Sequence, residues 1–355
     1  MERRVRWALR AELPKRVVVE RGALQFLPEV LRELGCSKTV VVTDSGVWSV
    51  VGSVVEGALR GLAYEVVYIE AADNSNVERA RSAARRVEAC AVAGLGGGRP
   101  VDVAKYAAFM EGLPFVSVPT AISHDGFASP IVALKDPEGN PLSIFTRPPA
   151  AVLVDLAVVS RAPRRLLASG VGDIVGKVTS VADARLAQRL TGEEVPEVAL
   201  RMAETAARMV LDEVDEIASW TERGVGVLAQ AGLLAGMAMA VAGSSRPCSG
   251  SEHLFSHSLD KYVPWKKSLH GEQVGVGAII ASYLHGFNWR VIRDALAKVG
   301  APTTVEGLGV TGEDAVRALL KARELRKRFT ILDVVELNEG LAWKVLRETG
   351  VAPTA

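Results

Sequence analysis

CAVAGLGGGRPVDVAKYAAFM, residues 90–110, starts as an apolar run, breaks on glycines and resumes with helical spacing. It reads as a strand, a tight turn and a helix. The same rhythm runs on both sides of it. KTVVVTD (38–44) is β-branched and stops at a polar turn, and VVGSVVEGALRGL (50–62) has helical periodicity. YEVVYIE (64–70) reads as a strand, VERARSAARRVEA (77–89) as an amphipathic helix, and PFVSVPTA (114–121) as a strand again. Strands alternating with helices predict a parallel sheet with crossover helices. KDPEGNPL (135–142) suggests a hairpin turn ahead of AVLVDLAVV (151–159). Beyond about residue 160 the strand signal fades and every long segment has helical character. The expected fold is therefore an α/β nucleotide-binding domain over 1–160, followed by an all-helical domain over 161–355.

Composition agrees with two globular domains. The chain has 355 residues, 49% of them apolar and 23% charged, with a net charge of +1. There is no basic cluster of the kind that nucleic-acid binders carry, so that partner class is not expected. Cys36, Cys90 and Cys248 are far apart and odd in number, which speaks against a disulfide framework or a cysteine-rich zinc site and for a reducing cytoplasm. The charged N-terminus lacks the apolar core of a signal peptide. GVGVLAQAGLLAGMAMAVAGSS (224–245) is long enough to span a membrane, but its Ala and Gly content favours a closely packed buried helix. Scarce Asn and Gln beside plentiful Arg, Glu and Val lean towards a heat-adapted source.

Three stretches carry chemistry. In GLGGGRPVDVAKYAAF (94–109), glycines at a helix N-terminus let backbone N–H groups approach a phosphate. Arg99 stands where the third glycine of GxGxxG would be, so a plain strand-to-helix turn is the alternative. Asp44 ends a strand, where an acid can bind a ribose diol or simply serve a turn. VPTAISHDGFASP (118–130) gathers Thr120, Ser123, His124, Asp125 and Ser129 at a strand end, where ligands of parallel sheets bind.

SGSEHLFSHSLDKY (249–262) puts His253 and His257 on one helical face, with Ser249 or Ser251 placed to cap the helix. His270 opens the next helix, in LHGEQVGVGA. A catalytic zinc takes three protein ligands and keeps one position open. The oxygen donor that suits this set is Asp173 in ASGVGDIVGKV, which reads as lying at a helix start, where an N-cap role is the alternative. No HExxH and no GxSxG occurs, which disfavours a metalloprotease and a serine hydrolase.

GLGGGRPVDVAK, VPTAISHDGFASP, GVGDIVGK, SGSEHLFSHSLD and LHGEQVGVG, in this order, resemble the archaeal glycerol-1-phosphate dehydrogenases. That family stands within the superfamily of glycerol dehydrogenase, iron-type alcohol dehydrogenase and 3-dehydroquinate synthase. The resemblance covers roughly residues 15 to 350. It implies an active site in the cleft between the two domains, and a cytoplasmic, oligomeric enzyme that reduces dihydroxyacetone phosphate to sn-glycerol 1-phosphate for membrane-lipid synthesis. It implies Zn2+ on Asp173, His253 and His270, with His257 and Asp125 meeting the substrate. Gly97, Gly98, Arg99, Pro100, Val101 and Asp102 would then line the pyrophosphate of NAD or NADP. Thr120, Ala121, Ile122, Ser123 and Ser129 would surround the nicotinamide half, and Asp44 would face the adenine ribose. Lys177, Arg99 and Lys266 are candidate partners for the substrate phosphate. A polyol dehydrogenase acting on unphosphorylated glycerol is the rival reading.

Overall fold

The computed structural model describes Leu9, residues 11–136 and residues 141–353. Eight strands occur among them: β1 (Arg16–Glu20), β2 (Lys38–Thr43), β3 (Ala63–Tyr68), β4 (Ala91–Gly96), β5 (Phe115–Pro119), β6 (Ile131–Lys135), β7 (Pro141–Phe145) and β8 (Ala151–Asp155). Six of them form one sheet in the order β1-β8-β5-β4-β2-β3, and every pairing in it is parallel. The crossover helices are α1 (Leu27–Glu33), α2 (Ser45–Ala58), α3 (Asn74–Arg86) and α4 (Gly98–Glu111). β6 and β7 make a separate antiparallel ribbon. The hairpin turn is expected at 135–142; β6 and β7 pair antiparallel around it, and residues 137–140 lie outside the described residues.

The period of two along the strands sorts side chains between two cores. Val40, Val42, Val92, Val152 and Val154 face α3, α4 and the helical half. Val41, Ala91, Ala93, Leu95 and Leu153 face α1 and α2. Each fully buried branched side chain contributes about 1.5–3 kcal/mol. These strands, buried on both faces, read as the continuous apolar runs that parallel sheets require. β1 was not anticipated. Its RVVVE lies in a stretch that looks uniformly charged, yet it pairs with β8 at the edge of the sheet.

Past β8 the described residues contain only helices and loops: α5 (Leu156–Val159), α6 (Arg164–Val175), α7 (Lys177–Thr191), α8 (Glu197–Asp212), α9 (Val214–Ala218), α10 (Glu222–Ala242), α11 (Ser251–Tyr262), α12 (His270–Leu284), α13 (Trp289–Lys298), α14 (Gly312–Lys321) and α15 (Glu339–Glu348). The segment 151–159, which looks like one strand, splits at Asp155. Its carboxylate caps α5 through Ala157 N–H and also accepts from Gly22 and Leu24 N–H. α10 is long and apolar enough to cross a membrane, but 67% of its apolar window is buried. Its glycines explain this: a Cβ on Gly236 would meet the Ala128 backbone at 2.6 Å, and one on Gly232 would meet the Phe127 ring at 2.8 Å.

Three local expectations are corrected. Asp173 lies near the C-terminal end of α6, not at a helix start, because the two glycines before it are helical and serve packing. Neither Ser249 nor Ser251 caps α11. Gly250 holds the N-cap position, and its N–H is taken by Glu252 Oε1 at 2.6 Å. Cys36 and Cys90 are joined in a disulfide, with Cα atoms 5.3 Å apart, although 54 residues separate them. Cys36 lies two residues before the start of β2 and Cys90 directly precedes β4, and these strands are sheet neighbours, a proximity that spacing along the chain conceals. Intracellular proteins of hyperthermophiles are a recognised exception to the rule of reduced cysteines.

Candidate active site

The glycine turn after β4 opens one side of the site. Gly96 has φ +148°, and the Pro100 ring occupies the space a Cβ would need. A Cβ on Gly98 would stand 2.6 Å from His124 Nε2. The turn leads into α4 with no side-chain cap, so its first N–H groups are left for another partner. Pro100, inside the first turn, has no N–H to leave orphaned. A cleft of about 660 Å3 lies in front of it, lined by Asp44, Gly97, Gly98, Arg99, Thr120 and Ser123, among others. Pro100, Asp102 and Ala121 also reach this cleft, whereas Val101 and Ile122 are buried beneath it as packing residues. Asp44 caps α2 through Val47 N–H at 2.8 Å while facing the cleft. Arg99 Nη1 donates to the Glu70 carbonyl at 2.7 Å.

Deeper in, the structure brings three distant residues together. Asp173 on α6, His253 on α11 and His270 at the start of α12 each present one donor atom, and these atoms lie within 4.8 Å of one another. Close helix crossing makes this possible. A Cβ on Gly172 would overlap the Gly271 carbonyl, and one on Gly271 would overlap the Ser169 carbonyl, so α6 and α12 meet backbone to backbone. The ring centroids of His253 and His270 are 5.1 Å apart. His257, one turn on from His253, stands 6.0 Å from His270 by ring centroid and outside the triad.

Hydrogen bonds fix which nitrogen each of these imidazoles leaves free. Glu252 Oε1 is 2.8 Å from His253 Nδ1, so that nitrogen carries the proton and Nε2 faces Asp173 Oδ1 at 3.6 Å. Ser256 Oγ donates to Gln273 Oε1 at 2.8 Å and is 3.2 Å from His270 Nδ1, which therefore donates and leaves Nε2 free. Both imidazoles are held as metal-binding histidines are, with the second nitrogen committed to a neighbour. Glu252, Ser256 and Gln273 carried no signal in the sequence. Adjacent side chains on a helix point about 100° apart, so no spacing rule pairs Glu252 with His253.

Charge in the site is unbalanced. Lys177 Nζ, fully buried, bridges Asp173 Oδ1 at 2.8 Å and Asp125 Oδ2 at 2.9 Å. Asp125 N–H donates to Asp173 Oδ2 at 2.9 Å. Burial raises the pKa of Asp173, but Lys177 and His253 outweigh it and hold the carboxyl well below the usual range. Burial and the Asp173 charge push Asp125 up. Asp173 and Glu252 are buried carboxylates beside the histidines and Asp125 is a largely covered third, while Lys177 is the one lysine, among the described residues, paired with any of them. Buried charge of this kind calls for a cation, and two imidazole nitrogens with one carboxylate are the donor set that Zn2+ takes in open sites.

A second cavity of about 240 Å3 is lined by Asp125, Ser129, His253, His257 and Arg326, among others. Asp102, His124 and His270 line both spaces, so they form a shared wall. Ser129, expected beside the nicotinamide, lies on the inner cavity, where its Oγ accepts from Ile131 N–H at 3.2 Å.

Known proteins share this fold. Residues 18–163 match the family model of iron-containing alcohol dehydrogenase. The fold is that of a probable glycerol dehydrogenase from Sinorhizobium meliloti, with a TM-score of 0.79 at 22% identity over 96% of this chain and 98% of that one. It is equally that of glycerol dehydrogenase from Schizosaccharomyces pombe, with a TM-score of 0.80 at 20% identity over 96% and 90%. The class is therefore an NAD(P)-dependent oxidoreductase of the alcohol-dehydrogenase type. Two curated relatives carry the name glycerol-1-phosphate dehydrogenase (NAD(P)+). The one from Methanoculleus marisnigri is 43% identical over 91% of this chain and 90% of its own length, and the one from Metallosphaera sedula is 41% identical over 96% and 97%. At that identity over nearly its full length, the chain belongs to the glycerol-1-phosphate dehydrogenase family.

Proposed function

We propose that this protein reduces dihydroxyacetone phosphate to sn-glycerol 1-phosphate at the expense of NADH or NADPH, with Zn2+ held by Asp173, His253 and His270. The convergence of those three donors beside the glycine-turn cleft is the observation that carries the reading. Residues 1–160 serve in it as the cofactor-binding domain and 161–355 as the metal- and substrate-binding domain. When bound, the cofactor supplies a hydride and the metal polarises the ketone as a Lewis acid.

The chain's own groups do the rest. The first N–H groups of α4, with the helix dipole, receive the cofactor pyrophosphate. Asp44, at the cleft rim, accepts from ribose hydroxyls and repels a 2′-phosphate, which favours NADH. Thr120, Ala121 and Ser123 line the inner end of the cleft and orient the nicotinamide. Asp125 accepts a hydrogen bond from a substrate hydroxyl. His257, kept neutral by burial and by the nearby Arg326 charge, holds a proton on one ring nitrogen for delivery to the nascent alcohol. A cytoplasmic homo-oligomer making the glycerol phosphate backbone of archaeal membrane lipids fits this reading.

The test is turnover of dihydroxyacetone phosphate and of dihydroxyacetone with each nicotinamide, before and after chelation, with chiral analysis of the product. Chelator-sensitive formation of sn-glycerol 1-phosphate is expected. Equal use of the two ketones would favour the polyol dehydrogenase reading instead.

A further inference from the structure

A phosphorylated triose is a dianion, and a site that prefers it to the bare triose must hold a cation that is not already spent. The cations suggested by sequence are all committed. Lys177 is enclosed between Asp173 and Asp125. Lys266 Nζ bonds Asp260 Oδ1 at 2.6 Å, and Arg99 donates to the Glu70 carbonyl at 2.7 Å. Arg328 spends its guanidinium on the Ser249 carbonyl at 2.5 Å and on Ser245 Oγ at 2.9 Å.

Arg326 differs. It lines the same 240 Å3 cavity as His253, His257 and His270. Its side chain is half-buried, and among the described residues no carboxylate or carbonyl accepts from it. Burial alone acts on its charge and lowers its pKa, whereas a facing acid would raise it. Of the acids on that cavity wall, Asp125 is bound to Lys177 and Asp260 to Lys266, while Asp102 stands beside Lys105 at 3.6 Å. A half-buried guanidinium without a partner is a standing cost that a bound anion removes. The planar fork of Arg suits a phosphate bidentately.

The segment carrying Arg326 is also held in place. Arg246 Nη2 donates to the Phe329 carbonyl at 2.5 Å, and Ile331 N–H donates to the buried Asp183 Oδ1 at 2.7 Å. Leu254 on α11 packs with Ala322 and Leu332, one on each side of Arg326 in the chain. The cation is thus set beforehand against the helix that supplies His253 and His257, so little ordering is left for the ligand to impose.

We infer that Arg326 binds the phosphate group of the substrate and sets the preference for a phosphorylated over an unphosphorylated triose. This rests on the proposed reaction. The test uses the metal-loaded enzyme and the variants Arg326→Ala and Arg326→Lys, with inorganic phosphate as a probe. Circular dichroism and NADH fluorescence verify that each variant is folded and cofactor-competent. In the wild type, dihydroxyacetone phosphate should be strongly preferred and inorganic phosphate should compete with it. In Arg326→Ala the ratio of kcat/KM for dihydroxyacetone phosphate over dihydroxyacetone should fall by about 30-fold or more, mainly through KM, and phosphate inhibition should vanish. Arg326→Lys, which retains a point charge without the fork, should fall between the two. A variant that keeps both the wild-type ratio and phosphate inhibition overturns the assignment while leaving the proposed reaction standing. A wild type indifferent to the phosphate overturns both.

Discussion

Glu252 and His253 are neighbours in sequence, and Glu252 Oε1 sits 2.8 Å from His253 Nδ1, which fixes the tautomer of the proposed metal ligand. The carboxylate is itself held by Gly250 N–H at 2.6 Å and Thr179 Oγ1 at 2.8 Å. Replacing Glu252 by Gln preserves its volume and removes the charge that orients the ring. Metal affinity should drop by about 10–100-fold, measured by competition with a fluorescent chelator. Unchanged affinity would show that the orientation of His253 comes from packing instead.

Asp173→Asn leaves Lys177 in place but takes the anionic donor from the triad. Turnover should fall by about 1,000-fold or more, the scale of a lost Lewis acid. NADH binding, read by fluorescence, should persist, because the glycine turn lies on α4 and not on α6. Exhaustive chelation of the wild type should reproduce both results.

In the proposed site, protons would compete with the metal at one ligand. Burial opposes charge on His253, but its hydrogen bonds to Asp173 and Glu252 prevail and raise its pKa. His270 is pushed down to about 3, first by burial and then by His253. At neutral pH His270 is already deprotonated and Asp173 ionised, so the proton a metal must displace is the one on His253. Metal affinity should therefore strengthen as pH rises towards the raised His253 pKa and level off above it, with about one proton released per metal below that point. Calorimetric titration in buffers of differing ionisation enthalpy measures that number. Release of two protons would mean that a second ligand titrates in the same range.

The crossing of α6 and α12 has no room for a methyl group. Gly271→Ala should cost about 1–3 kcal/mol in unfolding free energy, and should also weaken metal binding by parting Asp173 from His270. Denaturant titration and metal competition on one preparation test both effects. Loss of stability with intact affinity would separate the crossing from the site.

The Cys36–Cys90 bridge closes a long loop across the sheet. Replacing both cysteines by Ser should lower unfolding free energy by about 4 kcal/mol at most, by loop-closure entropy. Turnover at moderate temperature should be unaffected, since neither cysteine lines the cleft or the inner cavity. Mass spectrometry of the unreduced chain reports whether the bond is present.

The alternating β/α half, the switch to helices and the glycine turn were legible along the chain, and the set Asp173, His253 and His270 was an expectation from family resemblance that the fold brings together. The first three are written in local periodicity and turn residues, whereas the ligand set, spread over three helices, was legible only through the resemblance of its surrounding motifs to a known family. What depends on neighbours brought in from elsewhere was misread. β1 is a strand because β8 supplies the ladder for it. Asp173 sits late in its helix because its glycines are spent on a crossing. Cys36 and Cys90 meet because β2 and β4 are sheet neighbours. The grip of Glu252 on His253, and the lack of an acceptor, among the described residues, for Arg326 on the inner cavity, emerged only from the folded arrangement. Whether a charge is paired depends on distances across the fold, and residues that meet there can be a hundred positions apart in the chain.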